Sequence, residues 1–348
     1  MKKSVGVILV VVLTVAIIGG YFFANSYAQK RARIEVNRLI KESNLEGDVH
    51  YKDLKASLFS KNIKLFGVEW FIKKQGETVG ELNIKRLVLE GNLDKSYVVK
   101  FYEANLVNLN PNSPYGTIGK DIAKIKQGQW DMSKEVGIVK IGFEINGIKI
   151  NKEIINSAIK KEKESEEIFT KVIKLENPID IKAKYKLNKK EGILKIDDYE
   201  LNFKNNLKLK YSLVVSNIDY AGFEELSRQI KKDRNSPIVL LSLLSKLYTL
   251  KPLNLYVEIE NEGLINRALE FALKNSQTTE EQIKNEIEKS LINTPISAYK
   301  DKIENFALAK KDKIKINIEN ISNLSVADLI TRLRTAPFDR VFRLKITN

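Results

Sequence analysis

Apolar and polar positions change their spacing several times along this chain, and each change marks an element. No charge falls between Lys3 and Lys30. At about 1.5 Å of rise per residue, the apolar run over residues 4–24 makes a helix roughly 30 Å long, enough to cross the hydrocarbon core of a bilayer. Tyr21, Phe22 and Phe23 stand near its end, where amphipathic rings mark a membrane interface. Residues 26–44 keep a helical spacing, with Ala28, Ala32, Ile34, Val36, Leu39 and Ile40 among Lys and Arg, and suit a stalk. From about residue 46 the period falls to two. Val49–Phe59, Asn62–Lys73, Gly80–Leu93 and Tyr97–Asn110 are expected as strands of an antiparallel meander with short polar turns. In the second strand Ile63, Leu65 and Phe71 are expected on one face, and Phe66, Val68, Trp70 and Ile72 on the other. Such strands suit a sheet buried on both sides, or one that packs on helices and lines a groove with its second face.

Residues 111–136 hold a Pro-Asn-Ser-Pro-Tyr-Gly loop and a short amphipathic segment. A strand over Ile138–Ile150 leads into a helix over Lys152–Lys174 with a charged, solvated face. Three strands follow, Pro178–Asn188, Ile193–Phe203 and Asn206–Ser216. In the last, Leu207, Leu209, Tyr211, Leu213 and Val215 share a face. Ser236-Pro237 then opens a helix over Ile238–Leu250 as N-cap and first helical position. It is apolar nearly all round and too short to span a membrane, so it is expected as a buried core helix, with a helix dipping into a bilayer surface as the alternative. The last third alternates strands and helices: Leu253–Asn261 with Gly263–Asn275, a capped helix ending near Leu291, Ile314–Asn320 with Ser325–Leu333, and a final strand over Val341–Ile346. The fold class expected is α+β, a single N-terminal transmembrane helix followed by a largely antiparallel β-sheet body with interspersed and C-terminal helices. Its expected parts are an anchor over 1–25, a stalk over 26–45, a meander over 46–150, a mixed region over 151–250 and strand–helix modules over 251–348.

Composition adds limits. With 43% hydrophobic and 30% charged residues, and only 7 Pro and 17 Gly, the chain reads as globular. The absence of cysteine excludes disulfides, thiolate metal sites and cysteine nucleophiles. The net charge of +15 comes from lysines spread over every element, which suits a solvated surface or attraction to anionic lipid. No zinc-finger spacing, aromatic-basic RNA-binding signature or helix-turn-helix pattern points to nucleic acid. Met1-Lys2-Lys3 ahead of the apolar run suits a signal-anchor, while Ser26-Tyr27-Ala28 also offers a cleavage site.

The one histidine, His50, has no cysteine or nucleophile motif to work with. Phosphate-binding glycine loops and nucleophile elbows are absent. The neighbouring acids Asp197 and Asp198 point apart on a strand and suit a turn better than a shared substrate. No catalytic, metal or cofactor residues are assigned, and the chain is expected to be no enzyme. An apolar ligand such as phospholipid, held on the inner side of the sheet, is the expected partner, with Phe66, Trp70 and Phe101 as candidate contacts. A scaffold for envelope proteins, with partners unknown, is the alternative.

The stretch Lys52-Asp-Leu-Lys-Ala-Ser-Leu-Phe-Ser-Lys-Asn-Ile-Lys-Leu-Phe-Gly-Val, placed between an apolar run and a meander, resembles the start of AsmA-type and YdgA-like bacterial envelope proteins over residues 1–110. The resemblance implies an inner-membrane anchor, a body in the periplasm and a role in envelope or lipid homeostasis. It supplies no catalytic residues.

Overall fold

The computed structural model describes residues 26–38, 40–41, 47–57, 62–74, 76–92, 95–110, 119–159, 168–232, 236–275 and 278–348. Among these, twelve strands lie antiparallel and are hydrogen-bonded in sequence order. The strands are β1 (Val49–Ser57), β2 (Asn62–Lys74), β3 (Glu77–Asn92), β4 (Ser96–Asn108), β5 (Asp121–Glu135), β6 (Ile138–Ile150), β7 (Ile179–Asn188), β8 (Ile193–Phe203), β9 (Leu207–Ser216), β10 (Lys251–Asn261), β11 (Lys313–Asn320) and β12 (Phe342–Thr347). Residues 1–129 and 130–348 form two compact units, the division falling within β5.

The expected fold class is corrected at its first element. Among the described residues no helix is long and apolar enough to cross a membrane. The apolar run over 4–24 lies outside the described residues. What the chain shows is an antiparallel sheet with helices in its connections, an α+β arrangement.

In the first unit helix α1 (residues 26–38) repeats a small residue every four positions, which puts Ala28, Ala32 and Val36 on one stripe. All three are buried, and Ala32 and Val36 join Leu54, Ala56, Leu65, Val68, Ile84 and Ala104 in one core. The segment expected as a stalk thus packs on the sheet. Small side chains let the helix backbone approach the strands closely.

A row of irregular positions crosses this sheet at Lys52, Gly67, Lys85 and Glu103. These four positions are absent from the registers, whose pairs run Tyr51 with Val68 and then Asp53 with Phe66, and likewise across β3 and β4. Gly67 (φ +57°) and Glu103 (φ +53°) adopt the left-handed region, and a Cβ on Gly67 would stand 2.8 Å from Lys52 Cδ. The extra residue in each strand exchanges its faces. Ile63 and Leu65 before the row therefore share a face with Val68 and Trp70 after it, and Phe66 looks to the other side. The expected face assignment in β2 is corrected accordingly.

In the second unit the inserted helices are α2 (Lys152–Ile159), α3 (Tyr220–Lys232), α4 (Pro237–Thr249), α5 (Leu264–Asn275), α6 (Glu280–Leu291), α7 (Lys300–Ala307) and α8 (Val326–Arg332), with a π-helical turn at Ile168–Val172. Ser236 precedes Pro237 as N-cap without a side-chain bond, whereas Thr279 with Gln282 and Ser325 with Asp328 form complete capping boxes. The strands divide cleanly. One face is lysine and carboxylate: Lys182 with Asp198 at 2.6 Å, Glu200 between Lys208 and Lys210, Glu258 with Lys313. The other face is apolar, and it carries the candidate site.

Candidate functional site on the apolar sheet face

The apolar face of the second unit is built by strict register. Leu187, Leu194 and Val215 are successive partners across β7, β8 and β9. Tyr185, Ile196, Leu213 and Leu255 extend the next row into β10, and Leu201, Leu209 and Ile259 form a further one. A bulge in β8 completes the face. Ile196 pairs with Leu213 and Tyr199 with Tyr211, so Asp197 and Asp198 add one residue to the strand. Without it, alternation from Ile196 would bring Asp198 and Glu200 onto the apolar side. With it, Tyr199, Leu201 and Phe203 face inward, and Asp198 reaches Lys182 on the charged side. The acid pair expected at a turn is this bulge.

The bulge assembles an aromatic row. Trp130 stacks on Phe143 at 6.3 Å between ring centroids, Phe143 on Tyr185 at 6.1 Å, and Tyr199 on Tyr211 at 4.4 Å. Burial pushes the Tyr185 and Tyr211 phenols up from the usual tyrosine range, and the neighbouring phenols add to the rise. Among the described residues none of the Tyr185, Tyr199 and Tyr211 hydroxyls has a hydrogen-bond partner in the protein. Three phenol donors thus stand on a half-buried apolar surface without a protein acceptor.

Burial on this face stops short of a packed core. Every large apolar residue that β8, β9 and β10 contribute is only half-buried. Elsewhere in the same unit Val341 and Ile346 are sealed, at 0% and 1% exposure. Partly accessible apolar surface with a few polar atoms converging on it is the usual lining of a small-molecule site.

The residues expected from the sequence sit in the other unit and do not converge. Phe101 pairs with Leu87 on the α1 side of the sheet and packs on that core. Trp70 pairs with Val49 and Leu82 on the same side and stays 40% exposed. Phe66 pairs with Asp53 and Arg86 on the opposite side, with Lys55 Nζ 5.5 Å from its ring. His50 meets Phe71 edge-on at 5.9 Å. Among the described residues no cluster of three or more metal-ligating side chains occurs. Tyr185 and Tyr211 were legible as inward positions of alternating strands. Tyr199 was not, because only the bulge brings it to their face.

A family model described as an uncharacterized protein matches residues 200–347, which run from the end of β8 through β12. None of the curated proteins matches the chain.

Proposed function

We propose that this chain is a non-catalytic binding protein that holds a long-chain amphiphile, of the phospholipid class, against the apolar face of β7–β10. The observation that supports this reading is the tyrosine trio. Three phenol donors without protein partners stand among half-buried leucines and isoleucines, which suits a ligand with acyl chains and an ester or phosphate acceptor. The resemblance of residues 1–110 to AsmA-type envelope proteins agrees with such a role but concerns the other unit.

The test is lipid mass spectrometry on the purified full-length protein, followed by titration of delipidated protein with a fluorescent phospholipid. The expected result is stoichiometric phospholipid, about tenfold weaker uptake in a Tyr185→Phe/Tyr211→Phe double variant, and no uptake in Leu213→Lys. Lipid-free protein that takes up no probe would overturn the reading and favour a scaffold.

A further inference from the structure

Helix α4 is built inside out. A helix on a protein surface normally packs its apolar stripe and shows its polar one. Here Val239 is buried, and Ser242, Leu243 and Lys246 lie half-buried beside it on the packed stripe. Lys246 is drawn inward by Asp219, at 2.7 Å. The opposite half of the circumference carries Ile238, Leu240, Leu241, Leu244, Leu247 and Tyr248, all exposed, Ile238 at 74%. The expected buried core helix is therefore corrected: its apolar surface looks outward. A shallow groove lined by Leu241, Leu244, Tyr248 and Ala327 joins it to α8, where Ile330, and Leu333 just past its end, are exposed too.

The surroundings of this face are basic. The turn between β7 and β8 brings Lys189 and Lys190 to a cavity shared with Ser245, Lys246 and Thr249 of α4. On the charged side of the sheet, Lys140, Lys186 and Lys195 are direct register partners across β6, β7 and β8. Like charges set directly opposite one another are unfavourable in water. Glu135 bonds Lys140 and Glu191 sits in the turn, so the cluster keeps a positive excess. On α8 and just beyond it, Arg332 and Arg334 flank exposed Leu333.

We propose that the outward face of α4, with the lysines at its C-terminal end and the arginines beside Leu333, docks on an anionic lipid bilayer, the helix lying in the plane of the headgroups. The inference stands apart from ligand binding on the sheet. Apolar side chains at the acyl boundary with cationic groups among the phosphates are what an interfacial helix requires. An anionic surface also answers the lysines of the β7–β8 turn, which an uncharged apolar partner would leave unmatched. A two-fold contact between copies of the chain through this helix would set one basic cluster against another.

The absence of native cysteine makes the test direct. Leu244→Cys in the full-length chain is labelled with an environment-sensitive fluorophore and mixed with phosphatidylcholine vesicles, with or without phosphatidylglycerol. A blue shift with the anionic vesicles alone is expected, weakened about 30-fold by Lys189→Gln/Lys190→Gln, at roughly a factor of five per charge. A label that stays in water with anionic vesicles would overturn the proposal, even if the protein sediments with them through another segment. A blue shift that grows with protein concentration without vesicles would overturn it in favour of a second copy. An unchanged circular dichroism spectrum of each variant confirms that the fold is intact.

Discussion

Asn206 shows how much structure one side chain can carry. It is fully buried; its Oδ1 accepts from the Lys174 amide and Arg267 Nη2, and its Nδ2 donates to the carbonyls of Lys174 and Lys204. It ties the π-helical segment, the β8–β9 turn and α5 together. Asn206→Ala strands several buried groups at once, so urea denaturation is expected to show a loss of about 1–3 kcal/mol, with Asn206→Asp retaining part of it through Arg267. Glu258 and Tyr256 form a pH-responsive pair. Burial opposes ionisation of Glu258, but the bonds from Tyr256 (2.7 Å) and Lys313 outweigh it and hold the carboxyl below its ordinary range. Burial first, and then the bond to Glu258, push the Tyr256 phenol up to about 12. A lowered carboxyl pKa contributes stability above the ordinary glutamate value, lost as the pH falls through the folded one. A raised phenol pKa contributes stability below the ordinary tyrosine value, lost as the pH rises toward about 12. Thermal unfolding against pH is expected to lose of the order of 2 kcal/mol on the alkaline side from this phenol, with partial exposure allowed for. Tyr256→Phe should remove this share of the alkaline limb, and Glu258→Gln its share of the acid one.

Among elements, the capping boxes are the most local. Removing the Thr279 hydroxyl leaves the Gln282 amide at the start of α6 without its acceptor, and Thr279→Ala is expected to cost about 1 kcal/mol in the same denaturation assay. A cap on this helix was legible, though not the part played by Gln282, as most strands were in their period of two; β8 is observed over the residues expected. Strand β5 was not legible, because Lys124, Lys126, Gln127, Asp131, Ser133 and Lys134 leave too few apolar positions to mark a period. The single helix expected over Lys152–Lys174 is described as α2 and a separate π-helical turn, with the residues between them outside the described set. Faces failed where backbone geometry intervened. Alternation assumes one residue per pleat, and both the row through Gly67 and the bulge at Asp197–Asp198 add one. The outward face of α4 was illegible for a different reason: its composition says that it must be covered, not by what.

At the scale of the whole molecule, charge is the strongest property read from the sequence alone. A net +15 repels itself in any folded state. Raising sodium chloride from about 20 to about 200 mM shortens the screening length to below 10 Å, and the melting temperature is expected to rise, more than the loss of exposed ion pairs lowers it. Differential scanning calorimetry at several salt concentrations checks the sign. The strand order has its own consequence for how such a chain can change length. Within the second unit each strand from β6 to β12 pairs with its neighbours in sequence. Deleting two adjacent strands would leave the next pair antiparallel, with the apolar side still aligned. Deleting one would reverse every strand after it by a half-turn about the sheet normal, which keeps each side chain on its face but carries every later connection to the opposite end of the sheet. A relative differing by two strands would therefore keep its inserted helices where they stand, whereas one differing by a single strand would keep its hydrophobic pattern and present every later helix at the opposite end of the sheet.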